Sequence, residues 1–242
     1  MLNLFASDLH LHRDRPESIT SFVQLARGPA RRAGTLYLLG DVFDQWLGDD
    51  DTTPPHPAVE EELRRLRDAG VRVGFAAGNH DFLVGREFAS RTGVALLDEV
   101  TVIELAGRRT AITHGDQLCT ADTDYQAFRA HTRDPAVQHA FLALPLAERA
   151  RMAAQLRHRS RELTALKPDD ITDVAPDAVE ALLREHRADD LIHGHTHRPA
   201  THHLEVDGRE CRRIVLADWY AGDSVLAVEN GEYRSSPVAG LS

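Results

Sequence analysis

Five times along this chain a short apolar run breaks off in a cluster of aspartate, histidine or asparagine, and that repetition restricts the folds open to it. The clusters are Ser7-Asp8-Leu9-His10, Gly40-Asp41, Gly78-Asn79-His80-Asp81, Thr113-His114-Gly115-Asp116 and His193-Gly194-His195-Thr196-His197. The runs before them, residues 2–7, 35–39, 71–77, 109–113 and 190–192, read as buried strands. In open α/β sheets ligands gather beyond the carboxyl ends of strands, so all five clusters are placed to face one crevice. Side chains two residues apart on extended backbone share a side, which pairs Asp8 with His10 and His195 with His197. The glycines within the clusters let backbone approach where a side chain would collide.

Helical signals separate the strands. Residues 18–27 follow Ser18 or Thr20 as a cap, 58–69 carry Val59, Leu63 and Leu66 on one face and stop at Gly70, and 178–186 form a third helix. Residues 100–105 and 109–113 make a hairpin around Gly107, and Asp207-Gly208 and Asn230-Gly231 signal two more. Residues 119–167 are strand-poor and helix-prone, interrupted by Pro135 and Pro145. The expectation is one α/β domain over residues 1–242, with a helical insertion at about 122–168.

With 42% hydrophobic and 27% charged residues the chain belongs with folded globular proteins. Its two cysteines, Cys119 and Cys211, lie outside any CxxC pattern, which argues against a disulfide framework or a thiolate zinc site and for a reducing compartment. No apolar stretch approaches the roughly 20 residues of a spanning helix. The first strand begins at once, so no secretory leader is expected. A net charge of −10 argues against nucleic-acid binding. Nothing in the pattern calls for an obligatory protein partner. One segment inverts the charge: between Tyr125 and Lys167, the chain's single lysine, eight basic residues face three acids.

Asp8, His10, Asp41, Asn79, His114, His195 and His197 offer seven oxygen and nitrogen donors and no sulfur. One zinc needs three or four, whereas two ions sharing Asp41 would each receive four and keep open positions. Mixed imidazole and oxygen ligation suits Mn²⁺, Fe²⁺ or Zn²⁺ better than Mg²⁺. Two dications with only Asp8 and Asp41 ionised leave the centre near +2, which favours a phosphate group and a metal-bound hydroxide as its attacker. Any one of the 14 histidines could be an ordinary surface or core residue. Five clusters at matching strand ends are a stronger signal than any single one.

Read in order, D-x-H, GD, GNHD, HGD and GHTH resemble the calcineurin-like metallophosphoesterase superfamily. The resemblance implies a four-layer α/β/β/α sandwich. It also implies Asp8, His10 and His197 on one ion, Asn79, His114 and His195 on the other, and Asp41 bridging. A closer resemblance, to the bacterial UDP-2,3-diacylglucosamine diphosphatase family of lipid A synthesis, covers nearly the whole chain. It rests on the run from Leu39 through Asp51, on Tyr125-Gln126-Ala127-Phe128-Arg129, on Phe141 through Leu146, and on Ile192 through Pro199. That family implies hydrolysis of the pyrophosphate at the nucleotide-side phosphorus, with two Mn²⁺ ions, giving UMP and 2,3-diacylglucosamine 1-phosphate. It also implies a peripheral protein on the cytoplasmic face of a Gram-negative inner membrane, drawing its lipid from that anionic surface.

The same resemblance makes Asn79, His80, Asp122, Arg157, Ser160, Thr164, Lys167 and His195 candidate substrate contacts. Arg157, Ser160, Thr164 and Lys167 fall at i, i+3, i+7 and i+10, one face of a helix, although a solvated polar face would read the same. Phe128, Phe141, Leu142, Leu144, Leu146, Met152 and Leu156 are candidates to line an acyl channel, or to pack the insertion onto the body. The excess arginine suits phosphates and an anionic membrane surface, or an ordinary solvated face. The family more often has asparagine at Thr164, and the clearest departure is His80, which stands where the diphosphatases usually carry arginine. Histidine at that point is a candidate catalytic residue, donating a proton to the leaving group or holding a phosphate oxygen. Two alternatives remain, another calcineurin-like phosphoesterase acting on a nucleotide or protein phosphate, and a non-catalytic scaffold.

Overall fold

The computed structural model describes residues 1–164, 167–168 and 171–241, and for 158–164 the backbone alone. Its first sheet has six strands in the order β11-β10-β1-β2-β3-β4: β1 Asn3–Ala6, β2 Thr35–Leu39, β3 Arg72–Ala76, β4 Ala95–Leu96, β10 Ser224–Glu229 and β11 Glu232–Pro237. The strands β1 to β4 run parallel, and β10 returns antiparallel to β1. The second sheet has the order β5-β6-β7-β9-β8: β5 Thr101–Leu105, β6 Arg108–Ile112, β7 Asp190–His193, β8 Ala200–Val206 and β9 Arg209–Val215. In it β6, β7 and β9 are parallel.

Alternation of side chains decides what each face of these sheets meets. Leu4 and Ala6 of β1, with Leu36 and Leu38 of β2, pack under helices α1 Pro16–Arg27, α2 His56–Asp68 and α3 Arg86–Thr92 through Phe22, Leu63, Leu66 and Phe88. Phe5 and Leu39 point the other way and meet Ile112, Ile192 and Ile214 of the second sheet. On the far side of that sheet, Ala111 and Leu191 pack against Val179, Leu182 and Leu183 of α7, Pro176–Glu185. The layers are therefore α/β/β/α, as expected. Three further helices, α4 Thr123–Thr132, α5 Pro135–Leu142 and α6 Leu146–Thr164, follow one another between β6 and α7.

Local chemistry explains where the elements begin. The first helix starts at Pro16 rather than behind a Ser18 or Thr20 cap, because the fixed φ of proline suits the first helical position. The same holds for Pro135, which opens α5 behind the Asp134 cap instead of breaking a helix. Positive φ at Asp207, Gly208, Asn230 and Gly231 closes the two C-terminal hairpins. The two-residue β4 carried no pattern that marks it in sequence. Among the described residues no helix is long and apolar enough to cross a membrane.

Candidate active site

All five clusters lie at the C-terminal ends of β1, β2, β3, β6 and β7, three on one sheet and two on the other. The chain turns sharply at each, and Asp8, His10, Asp41, His195 and His197 all take left-handed backbone, with φ between 45 and 66°. Glycine makes the close approaches possible. A Cβ on Gly78 would stand 2.1 Å from Asp41 Oδ1, and one on Gly194 would stand 1.9 Å from Ser7 Oγ.

Asp41 is the hub. Its Oδ2 lies 3.9 Å from His10 Nε2, 3.8 Å from His80 Nε2 and 3.7 Å from His114 Nε2, too far for hydrogen bonds and close enough to share a cation. Its Oδ1 accepts from the backbone N–H of His80 at 2.8 Å. Asp8 sits beside it, with Oδ1 3.2 Å from His197 Nε2 and Oδ2 taking hydrogen bonds from Ser7 Oγ and the His195 N–H. Asn79 Oδ1 is 3.0 Å from His114 Nε2, and the His195 ring packs edge-on to His114 at 5.0 Å. The seven sequence-predicted ligands thus converge. Among the described residues, three groups of His and Asp have donor atoms close enough to hold one ion: Asp8, His10 and His197; Asp8, Asp41 and His114; and His10, Asp41 and His80, which brings in a residue outside the seven.

The electrostatics favour a cation there. Burial opposes charge on Asp8 and Asp41, yet the surrounding histidines hold both carboxyls below the usual range. Burial also opposes a charged His114, but Asp41, Asp8 and Asp116 draw it up to about 9. Burial takes His10 and His195 down to about 4, leaving neutral imidazoles of the kind that bind metal. Both ring nitrogens of His10 are buried without a hydrogen-bond partner. An orphaned imidazole among carboxylates, with no sulfur in the set, fits divalent metal ions.

Supporting groups fix this shell. Asp81, fully buried, accepts four backbone N–H groups: Asp41 and Gly78 on Oδ1, Val42 and Phe43 on Oδ2, at 2.7–3.3 Å. It ties the loops after β2 and β3 together. Asp116 accepts from Tyr125 Oη, Arg129 Nε and Arg133 Nη2, anchoring α4 to the loop after β6. His80 Nδ1 donates to the Asp44 carbonyl at 2.8 Å, because a carbonyl only accepts, and this leaves Nε2 facing Asp41.

A cavity of about 480 Å³ opens over the cluster, lined also by Asp122, Tyr125, Arg157 and Tyr220. Arg157 donates to the Asp44 carbonyl and pairs with its carboxylate, while its Nε is buried without a partner. Asp122 caps α4 and binds Lys167 Nζ at 2.6 Å. Lys167 lies on a bend beyond α6 rather than on a helical stripe with Arg157. The side chains of Ser160 and Thr164 lie outside the described residues.

Much of the basic segment's charge is matched by carboxylates elsewhere in the fold. Arg129, Arg133, Arg149, Arg157 and Lys167, five of its eight cations, pair with Asp116, Glu99, Asp50, Asp44 and Asp122, all outside the segment. The four arginines fasten the helices to the body, whereas Lys167 with Asp122 closes the insertion on itself. The cavity residues Tyr125, Thr196 and Tyr220 were not singled out as site residues in sequence. Tyr220 had no motif to signal it. A second groove of about 570 Å³, lined by Arg108, Arg212 and Tyr233, lies at the second sheet's edge, but both of its arginines are committed to buried Asp190.

The sequence profile of the Calcineurin-like phosphoesterase family matches residues 1–199. The chain belongs to that family. It is 50% identical over 220 residues to the protein named UDP-2,3-diacylglucosamine hydrolase in Cellvibrio japonicus, covering 91% of this chain and 92% of that one. It is 46% identical over 246 residues to the protein of the same name in Stenotrophomonas maltophilia, covering 99% of both. At these levels the chain falls within the UDP-2,3-diacylglucosamine hydrolase branch, and it is a metallophosphoesterase with candidate sites for divalent ions.

Proposed function

We propose that this enzyme hydrolyses the pyrophosphate of UDP-2,3-diacylglucosamine at the nucleotide-side phosphorus, giving UMP and 2,3-diacylglucosamine 1-phosphate for lipid A synthesis. Two Mn²⁺ ions would be held by Asp8, His10 and His197 and by Asn79, His114 and His195, with Asp41 between them. When bound, such ions supply Lewis acidity and lower the pKa of water. The chain's own groups do the rest. Arg157, which lines the cavity while paired with Asp44, is placed to bind a phosphate oxygen. His80, oriented through Nδ1, presents Nε2 to hold a phosphate oxygen or pass a proton to the leaving group. Asp122 and Lys167, paired with each other, offer both a donor and an acceptor to a sugar.

One observation carries the choice of an acylated substrate. The helices α4 and α6, which supply Tyr125 and Arg157 to the cavity, also expose Phe128, Met152 and Leu156, and α5 between them exposes Leu142, each about 40% accessible. We read α4–α6 as a cap whose open apolar face takes the acyl chains and rests against the anionic membrane leaflet, on its cytoplasmic side, that delivers them. The test is release of UMP from UDP-2,3-diacylglucosamine with Mn²⁺, Zn²⁺, Co²⁺ and Mg²⁺ in turn, beside the deacylated analogue. Rapid turnover with Mn²⁺ and weak turnover of the analogue support the reading. Equal turnover of both, or preference for a soluble nucleotide pyrophosphate, overturns it.

A further inference from the structure

A metal-binding imidazole is usually held in place by a hydrogen bond from its outer nitrogen to a carboxylate or carbonyl. His114 follows that rule, with Nδ1 on the Leu39 carbonyl at 3.0 Å. His10 does not. Neither of its ring nitrogens makes a hydrogen bond, and Asp44 Oδ1 is 3.7 Å away from Nδ1. What His10 has instead is a ring against its face: Tyr220 stacks on it with centroids 4.9 Å apart and planes 28° from parallel. The edge of His80 meets His10 at 4.8 Å. Tyr220 also tilts against His197 at 5.7 Å.

Tyr220 is itself held. The Arg15 guanidinium lies 4.4 Å from its ring centroid and donates to the carbonyl of the preceding residue, Trp219. Buried Trp219 donates its backbone N–H to the Asp8 carbonyl and its indole N–H to Ser224. The bend at Trp219 and Tyr220 is thus pinned, with the tyrosine over two candidate ligands of one ion.

We propose that Tyr220, clamped by Arg15, is a positioning residue for His10, its stacked ring standing in for the outer hydrogen bond that orients His114. This rests on the two-ion reading of the site. Tyr220 is 54% exposed, so removing its ring leaves the core intact.

The experiment titrates metal-free wild type, Tyr220→Phe and Tyr220→Ala with Mn²⁺, reading the free ion by electron paramagnetic resonance. Wild type and Tyr220→Phe should each bind two ions with the same pair of affinities. Tyr220→Ala should keep one ion at wild-type affinity and bind the other about tenfold more weakly. Tyr220→Leu, which retains bulk without an aromatic face, should lose the same ion and guards against a collapsed bend in the alanine protein. Wild-type affinities in both Tyr220→Ala and Tyr220→Leu would overturn the proposal, as would a loss in Tyr220→Phe equal to that in Tyr220→Ala, or equal weakening of both ions. Wild type binding fewer than two ions would sink the two-ion reading, and this proposal with it.

Discussion

Replacing Asp81 with asparagine isolates the carboxylate that joins two ligand loops without touching a candidate ligand. Each Asp81 oxygen accepts two backbone N–H groups. An asparagine puts an NH₂ group at one of those positions, so two N–H donors lose their acceptor whichever way the amide turns. The site is fully buried, and water has no access to replace it. Each unsatisfied buried donor costs about 1–3 kcal/mol, so the substitution should cost roughly 4 kcal/mol. For a chain of this length that is a fall on the order of 10 °C in Tm. Either orientation frees at least one N–H of the Asp41–Phe43 stretch that carries the hub carboxylate, so Mn²⁺ affinity should drop by about 10- to 100-fold as well. Thermal unfolding with and without Mn²⁺, paired with equilibrium Mn²⁺ binding, measures both. An Asp81→Asn protein that melts within about 1 °C of wild type and binds Mn²⁺ equally would refute the reasoning.

Substituting His80 by alanine should lower kcat by roughly 10²–10⁴-fold while leaving two bound Mn²⁺ ions, and His80→Arg should recover part of the rate through phosphate binding; loss of an ion in the alanine protein would instead make His80 a ligand. Burial alone would raise the Asp190 carboxyl, but the Arg212 and Arg108 guanidiniums hold it below its unfolded value. That stability is fully present above about pH 4 and is lost as pH falls through the folded value. Urea midpoints of wild type and Asp190→Asn should therefore converge only below about pH 4, and convergence near pH 6 would rule this out. Saturating Mn²⁺ at a hundred times Kd should raise stability by about 2.7 kcal/mol per site, and chelation should reverse it; a Tm indifferent to chelator would count against a resident metal. Burial pushes the Cys119 thiol up to about 12 and buries Cys211 as well, so neither should react with a thiol reagent until the protein unfolds.

The strand-end clusters were legible in sequence because their spacing is local: an apolar run, a glycine and a donor lie within a few residues of one another. Counting donors allowed two ions to share Asp41, and in the structure three imidazole nitrogens, one of them from His80, stand around its Oδ2. Groups that act across the chain left no such mark. Asp81 stood inside a visible motif, yet its four N–H partners come from two separate loops. Tyr220 reaches His10 from 210 residues away, in a segment without any repeat or motif. The pairing of the arginines of residues 129–157 was the least legible. Their charge was plain in the sequence, but their carboxylate partners, Asp44, Asp50, Glu99 and Asp116, lie on other elements and could not be matched by spacing.

The left-handed backbone at Asp8, His10, Asp41, His195 and His197 carries a lesson for anyone selecting variants of this enzyme. A residue with a Cβ in that conformation gives up roughly 1 kcal/mol relative to glycine. Five of them together withhold about 5 kcal/mol, comparable to the whole margin on which many domains stay folded. Glycine at any of these positions would relax the turn and silence the centre in one step. At Asp8 and Asp41 that gain is offset by the buried N–H groups their carboxylates satisfy, so a screen for thermal tolerance without an activity readout would find its relief at the histidines rather than at the aspartates.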